Sequence, residues 1–256
     1  MQPYFFPYIG YWQLIHAVDG FVLLDDVQYM RHGWINRNRI LKPGEGWQYV
    51  MMPLQKHAMT DVIRDIRVRE DEDWRRRLLA QLDHYRKLTR HFTSVRDLVQ
   101  SLLNDDGENR VAYINMGIMK RLCAEWGLER QFWLASEMNL DYSAVSQAGD
   151  WAPQITRQLG GSQYINPVGG VELFDANQFA ACHVELKFLR SRAVVYPQRG
   201  AVFESALSII DVLMFNGIDG TLPLLQEYDV ISDAEAHATA LGADSADPSG
   251  GLYPVQ

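Results

Sequence analysis

Beyond residue 113 the chain settles into a repeating alternation, and this constrains its fold more than any single motif. A helical run from Ile114 to Trp126 stops at Gly127, and FWLA (132–135) has the length and apolar character of a buried strand. A second run from Trp151 to Leu159 stops at Gly160-Gly161 and is followed by the strand-like SQYIN (162–166). The turn PVGG opens a third run, Val171 to Ala181, which gives way to VELKFL (184–189). ESALSIIDVLMFNG closes the series as a helix capped by Ser205 and stopped at Asn216-Gly217. Short apolar strands alternating with helices of this length make βαβ units. The expected fold is therefore α/β, doubly wound around a mostly parallel, Rossmann-like sheet.

The first half adds further elements. Tyr11, Leu14, Ile15 and Val18 fall at helical spacing, and FVLLDD (21–26) reads as a strand that closes on two acids. WQYVMMPL (47–54) and VIRDIRV (62–68) are strand candidates. Trp74, Leu78, Leu82, Tyr85, Phe92, Val95, Val99 and Leu102 recur every three or four residues, which gives one long helix or two joined near Thr89-Arg90. Residues from about 45 to 110 read as a helical and β insertion within a single domain, 1–231. The remaining 232–256 are small and acidic and read as a disordered tail.

Composition narrows the function. The formal charge is −8, so no basic face for nucleic acid is expected. The longest apolar stretch, ALSIIDVLMF, contains Ser208 and Asp211 and is too short to span a membrane. With no signal peptide, the reading is cytoplasmic. Cys123 and Cys182 show no metal or redox spacing and are expected to be buried thiols.

Open parallel sheets bind ligands beyond the carboxyl ends of their strands. Asp25, Asp26 and Gln28 follow the first strand, Ser136 and Glu137 follow FWLA, and Asn166, Gly169 and Gly170 follow QYI. Gln2, Tyr4, Tyr8 and Tyr11 lie around the start of the first helix. The Asp25-Asp26 pair either caps a turn or coordinates Mg²⁺ beside a phosphate. PVGG is either a plain turn or an anion cradle. GWINRNR, with Trp34, Asn36, Arg37, Asn38 and Arg39, is either a surface loop or a set of donors for phosphate or carboxylate. His84 and His91, seven residues apart, are either a solvated helix face or a phosphate-binding edge. Asp211, inside an apolar helix, requires a partner, and a structural bond to a neighbouring loop is expected. No Ser-His-Asp order, HExxH or Cys-His arrangement argues for a hydrolase.

QPYFFPYIGYWQLI, DGFVLLDDVQY, GWINRNRI, YINPVGG, ELFD and LSIIDVLMFNG together resemble the WbqC-like family, in order and spacing, from residue 2 to about 217. The resemblance implies a role in bacterial O-antigen or surface-polysaccharide biosynthesis. Aminoacyl transfer to an amino sugar, glycyl transfer included, is among the suggested reactions. Family members carry a short apolar strand before QPYFFPY, so the expectation is a start upstream of Met1. A weaker similarity, to the nucleotidyltransferase-like ATP-binding fold, leaves ATP and Mg²⁺ open as cofactors. Tyrosine or proline stands where that fold has histidines, so either the phosphate charge falls to Arg37, Arg39 or Lys87 or no nucleotide binds.

Two functions follow from these residues. The first is a transferase or ATP-dependent ligase that acylates an amine on a sugar. Asp25 or Asp26 would bind Mg²⁺ or act as the base for the attacking amine, and Glu137 is the third catalytic candidate. Gln2, Tyr4, Tyr8, Tyr11, Gln28, Trp34, Asn36, Arg37, Asn38, Ser136, Asn166, Gly169 and Gly170 would line the substrate or nucleotide. The second is a non-catalytic binder of a nucleotide-sugar or scaffold of the same pathway.

Overall fold

A computed structural model describes residues 1–71, 73–104, 107–200 and 202–243. In chain order it contains α1 (Ile9–Ala17), β1 (Gly20–Leu23), β2 (Arg37–Leu41), β3 (Trp47–Met51), α2 (Trp74–Gln81), α3 (Phe92–Leu102) and α4 (Val111–Glu125). There follow β4 (Gln131–Leu134), α5 (Trp151–Gln158), β5 (Gln163–Pro167), α6 (Ala176–Ala181), β6 (Glu185–Ser191), α7 (Ile209–Thr221), β7 (Tyr228–Ser232) and α8 (Asp233–Ala243).

The chain divides into two units, 1–138 with 194–226 and 139–193 with 227–256. In the first, β1 and β4 pair in parallel, and β2 and β3 form an antiparallel hairpin. In the second, β6 lies between β5, parallel to it, and β7, antiparallel. The α/β class is present, but among the described residues the strands are divided among small mixed sheets, not gathered into one doubly wound sheet. Residues 45–110, expected as an insertion, belong to the first unit.

Local chemistry explains most helix boundaries. Asp73 caps α2 by accepting from Arg76 N at 3.0 Å, and Asp175 caps α6 by accepting from Asn177 N at 2.9 Å. Gly127 (φ 67°) and Gly160 (φ 71°) end the α4 and α5 runs in the left-handed region. Gly217 (φ 70°) breaks α7 where the sequence places its stop. Four details differ from the sequence reading. VIRDIRV forms a 3₁₀ turn at Ile63–Asp65, since Ile63 and Ile66 are buried three residues apart. The run expected from Val171 to Ala181 is a 3₁₀ turn, Val168–Leu173, followed by the shorter α6. Ser208, not Ser205, caps α7, accepting from Ile210 N at 3.2 Å. The segment expected as a tail holds α8, whose Ala236 packs into a core with Phe179, Phe188 and Ile231; residues 244–256 lie outside those described.

The first unit is organised around its opening loop. Phe5 and Phe6 are fully buried with rings 4.9 Å apart, each burial contributing roughly 1.5–3 kcal/mol. Burying the loop also buries its carbonyls, which need donors. Tyr11 Oη donates to Gln2 O at 2.6 Å, and Asn115 Nδ2 to Pro3 O at 2.7 Å. Asn38 Nδ2 donates to both Phe5 O and Phe6 O, at 3.0 and 2.9 Å. Ser208 Oγ reaches Phe6 O at 2.8 Å; Trp12 Nε1 and the Ile209 amide reach Pro7 O at 3.1 and 3.0 Å. Phe6 is held at φ 40°, a conformation that costs on the order of 1–3 kcal/mol and persists only under such constraint. Met1 lies along β1, donating from its amino group to Val22 O at 3.0 Å and accepting from Leu24 N at 2.7 Å.

A second polar knot sits on α7. Asp211 is fully buried and accepts from Tyr85 Oη, from Tyr196 Oη at 2.7 Å and from Gln198 Nε2 at 3.0 Å. The Tyr85 oxygen in turn accepts from Leu41 N at 3.0 Å, which ties the knot to β2. The buried acid thus has the structural partners its sequence context requires. Burial raises Asp211 to about 6, outweighing the three donors that favour its charged form. Burial, followed by the nearby Asp211 charge, raises both tyrosines, so they remain donors.

Two stability predictions follow. Asn38→Ala leaves Phe5 O without its donor and is expected to cost about 2–3 kcal/mol in urea denaturation; an unchanged midpoint would contradict the clamp. For Asp211, the folded value lies above the unfolded 3.8. Its contribution to stability is therefore full below pH about 4 and lost as pH rises through about 6. Asp211→Asn should gain on the wild type by about 2–3 kcal/mol between pH 4 and 7; a constant gap between the two denaturation curves would contradict the buried-acid account.

Candidate functional site

Because β1 and β4 are parallel neighbours, their carboxyl ends bring residues 25–26 and 136–137 together. Asp25 is fully buried there, accepting from Ser136 N on one oxygen at 2.9 Å and from Ser136 Oγ on the other at 2.7 Å. Its own carbonyl accepts from Arg64 N at 2.7 Å. Asp25 therefore locks the turn after β4 to the end of β1. Asp26 is half-buried beside it.

Glu137, the next residue of that turn, is exposed and accepts a hydrogen bond from Tyr113 Oη. That bond, with a smaller effect from burial, raises Tyr113 above its ordinary value, so it stays a donor. The guanidinium of Arg110 lies 3.5 Å from the centre of the Tyr113 ring and is paired with Glu108 at 2.5 Å. The hydrogen bond from Arg110 holds Glu108 below the usual carboxylate range.

Tyr113, Met116 and Lys120 stand at i, i+3 and i+7, so they share one face of α4. Opposite that face β4 and its following turn supply Phe132, Trp133, Leu134, Glu137 and Met138, and with Met116 and Lys120 these line an open cleft of about 380 Å³. Its volume is in the range of small-molecule sites. Gly20 makes room for one wall: a Cβ there would lie 2.6 Å from the Trp133 ring. The cleft is thus lined by one carboxylate, one ammonium and the side chain of Trp133.

The other sequence candidates divide by whether the fold already uses them. Tyr11 Oη and Asn38 are bound to the opening loop, and Asn36 accepts from Tyr29 Oη at 2.8 Å while donating to Met52 O at 3.0 Å. Gln28 Nε2 donates to Met59 O at 2.7 Å. Gln2, Tyr4 and Tyr8 are half-buried, with Tyr4 against the Tyr11 ring at 5.4 Å. Trp34 and Arg37 lie at the β2–β3 hairpin, with Arg39 over the Trp34 ring at 5.3 Å. Asn166, Gly169 and Gly170 belong to the second unit. There Asn166 accepts from Tyr164 Oη at 3.2 Å, and a Cβ on Gly170 would meet Asn166 Nδ2 at 2.3 Å, so this glycine serves close packing. His84 and His91 do not share a helix face, because α2 and α3 are separate and His84 bonds Gln81 O at 2.9 Å.

Of the two readings of the Asp25-Asp26 pair, Asp25 matches the capping of a turn. The two Asp25 oxygens take the Ser136 N and Oγ donors, which tie the turn after β4 to the end of β1. Among the described residues no three His, Cys, Asp or Glu side chains converge as a metal-holding group. No helix among them is long and apolar enough to cross a membrane. Sequence reasoning missed Tyr113 and Lys120. Their spacing with Met116 is visible once α4 is fixed, but only the pairing of β4 beside β1 shows what that face meets.

No solved structure matches the chain. An uncharacterized protein of Mycobacterium tuberculosis is 25% identical over 218 residues, which cover 84% of this chain and 91% of that protein. The model of the WbqC-like protein family matches residues 2–222, a span that includes the opening loop, the Asp25–Ser136 lock, the cleft and Asp211. The chain belongs to the WbqC-like protein family.

Proposed function

We propose that this protein is an enzyme that acylates the amine of an amino sugar used in a bacterial surface polysaccharide, and that the cleft between α4 and β4 is where it does so. The observation that carries this reading is the placing of Glu137 and Lys120 on the walls of one cleft beside Trp133. Acyl transfer to an amine needs a base for the amine proton and a positive group for the charge that develops on oxygen. A sugar ring needs a flat apolar face, which an indole supplies. The association of family members with surface-polysaccharide gene clusters supports the choice of acceptor.

In this reading the amine nitrogen bonds to the acyl carbon of an activated donor, and the Glu137 carboxylate takes its proton. The bond from that carbon to its leaving group breaks, and the Lys120 ammonium stabilises the oxygen that carries the charge. Tyr113 orients Glu137 through their hydrogen bond. With ATP as the activating reagent, a carboxylic acid such as glycine would become an acyl adenylate with release of pyrophosphate, and the amine would then displace AMP. The Asp25–Ser136 lock acts by holding Glu137 in place. A second reading, a non-catalytic nucleotide-sugar binder, draws support from how many polar candidates, Asp25, Asn36 and Asn38 among them, are engaged within the fold.

The test incubates the protein with glycine, ATP, Mg²⁺ and a nucleotide-linked amino sugar, and follows the N-acylated sugar by mass spectrometry. Product is expected, and Glu137→Gln should lower its rate by roughly 100-fold or more with the melting temperature unchanged. An unaffected rate in the variant would reject the role of Glu137. Stabilisation by the nucleotide-sugar with no product from ATP-activated or preformed acyl donors would favour the binder.

A further inference from the structure

The β2–β3 hairpin sorts the GWINRNR motif by strand alternation. Asn38, Ile40 and Val50 turn inward and are buried, while Arg37, Arg39, Trp47, Tyr49 and Met51 project from the opposite face. On that face each arginine lies over an aromatic ring of the partner strand: Arg37 is 4.3 Å from the Tyr49 ring centre and Arg39 5.1 Å from Trp47. Trp34 flanks Arg39 from the preceding loop at 5.3 Å. The rings and the backbone fix both guanidiniums. Arg37 donates from Nε to Gly33 O at 3.2 Å and from Nη2 to His32 O, and Arg39 Nη2 donates to Ala206 O at 3.3 Å.

The bonds of Arg37 are to neutral carbonyls. No described carboxylate pairs with Arg37, in a chain whose other arginines include several with acidic partners. Nη1 of Arg37 therefore keeps its protons for a ligand. Two guanidiniums two residues apart on one strand face, held rigid and not neutralised by a carboxylate at Arg37, are suited to a group with adjacent anionic oxygens. Beside them Trp47 is 38% exposed, which leaves part of its ring open to stacking.

We propose that the outer face of the β2–β3 hairpin binds the diphosphate of a nucleotide, with Arg37 and Arg39 on the phosphate oxygens and Trp47 stacked on the base. Asn36 and Asn38, which share the motif, take no part, because their amides are already bound to Met52, Phe5 and Phe6. The site goes beyond the acylation cleft and stands or falls separately from it, since binding is read with no reaction taking place.

Isothermal titration of the full chain with UDP, ADP and inorganic pyrophosphate tests the assignment. UDP or ADP should bind, more tightly than pyrophosphate, and more weakly as salt is raised. Arg37→Ala should weaken nucleotide binding roughly 10- to 100-fold. Because Arg37 also braces residues 32–33, Trp47→Ala serves as the second variant: it should weaken nucleotide binding by a larger factor than pyrophosphate binding. Absence of binding by all three probes would overturn the proposal. So would equal affinities in the wild type and both variants, or displacement of UDP by a single-stranded oligonucleotide that binds more tightly.

Discussion

The carbonyl oxygens of residues 2–7 have to be satisfied inside the protein, and most of the first unit is arranged around that requirement. Two phenylalanines draw the loop into the core, and two prolines remove amide donors from it. What remains is a row of buried acceptors. β2 sends Asn38, α4 sends Asn115, α1 sends Tyr11 and Trp12, and the start of α7 sends Ser208. Elements far apart in sequence are thus registered against one short segment by hydrogen bonds whose geometry is specific. A buried carbonyl left without a donor costs about 1–3 kcal/mol, so a shift of any one element is penalised at once.

The loop also explains which residues are left for chemistry. An asparagine that holds two carbonyls cannot hold a ligand, and strand alternation places Arg37 and Arg39 on the face opposite Asn38. In the same way Asp25 is committed to Ser136, which leaves the adjacent Glu137 exposed at the cleft. In both places one polar residue anchors the backbone and its sequence neighbour is presented outward. Motif composition alone does not separate the two roles, because the residue types are the same.

The sequence shows the helices well, because their apolar residues recur at helical spacing and glycines mark several ends. It shows β1, β4, β5 and β6 for a similar reason, as short apolar runs. β2 escapes because INRNRIL has asparagine on its inner face and arginine on its outer one, so neither face reads as apolar. α8 escapes because Asp233, Glu235 and the surrounding alanines look like a solvated tail, although Ala236 is buried. The reading of polar residues beyond strand ends brings Asp25, Ser136 and Glu137 to one place. It could not tell that Asp25 is buried, nor find Tyr113 and Lys120, since both facts depend on how α4 and β4 lie together. A doubly wound sheet was expected because βαβ rhythm is a local property, while the division of strands among separate sheets is set by long-range pairing.

Native-state hydrogen exchange tests the role of the opening loop most directly. The amides of Phe5, Ser208 and Ile209 donate to Trp34 O, Arg39 O and Pro7 O at 2.9, 2.8 and 3.0 Å. If the loop organises the first unit, these three should exchange only through global unfolding, with protection equal to that of amides in β1. Exchange of the Phe5 amide at rates typical of an exposed loop, while β1 stays protected, would contradict the account.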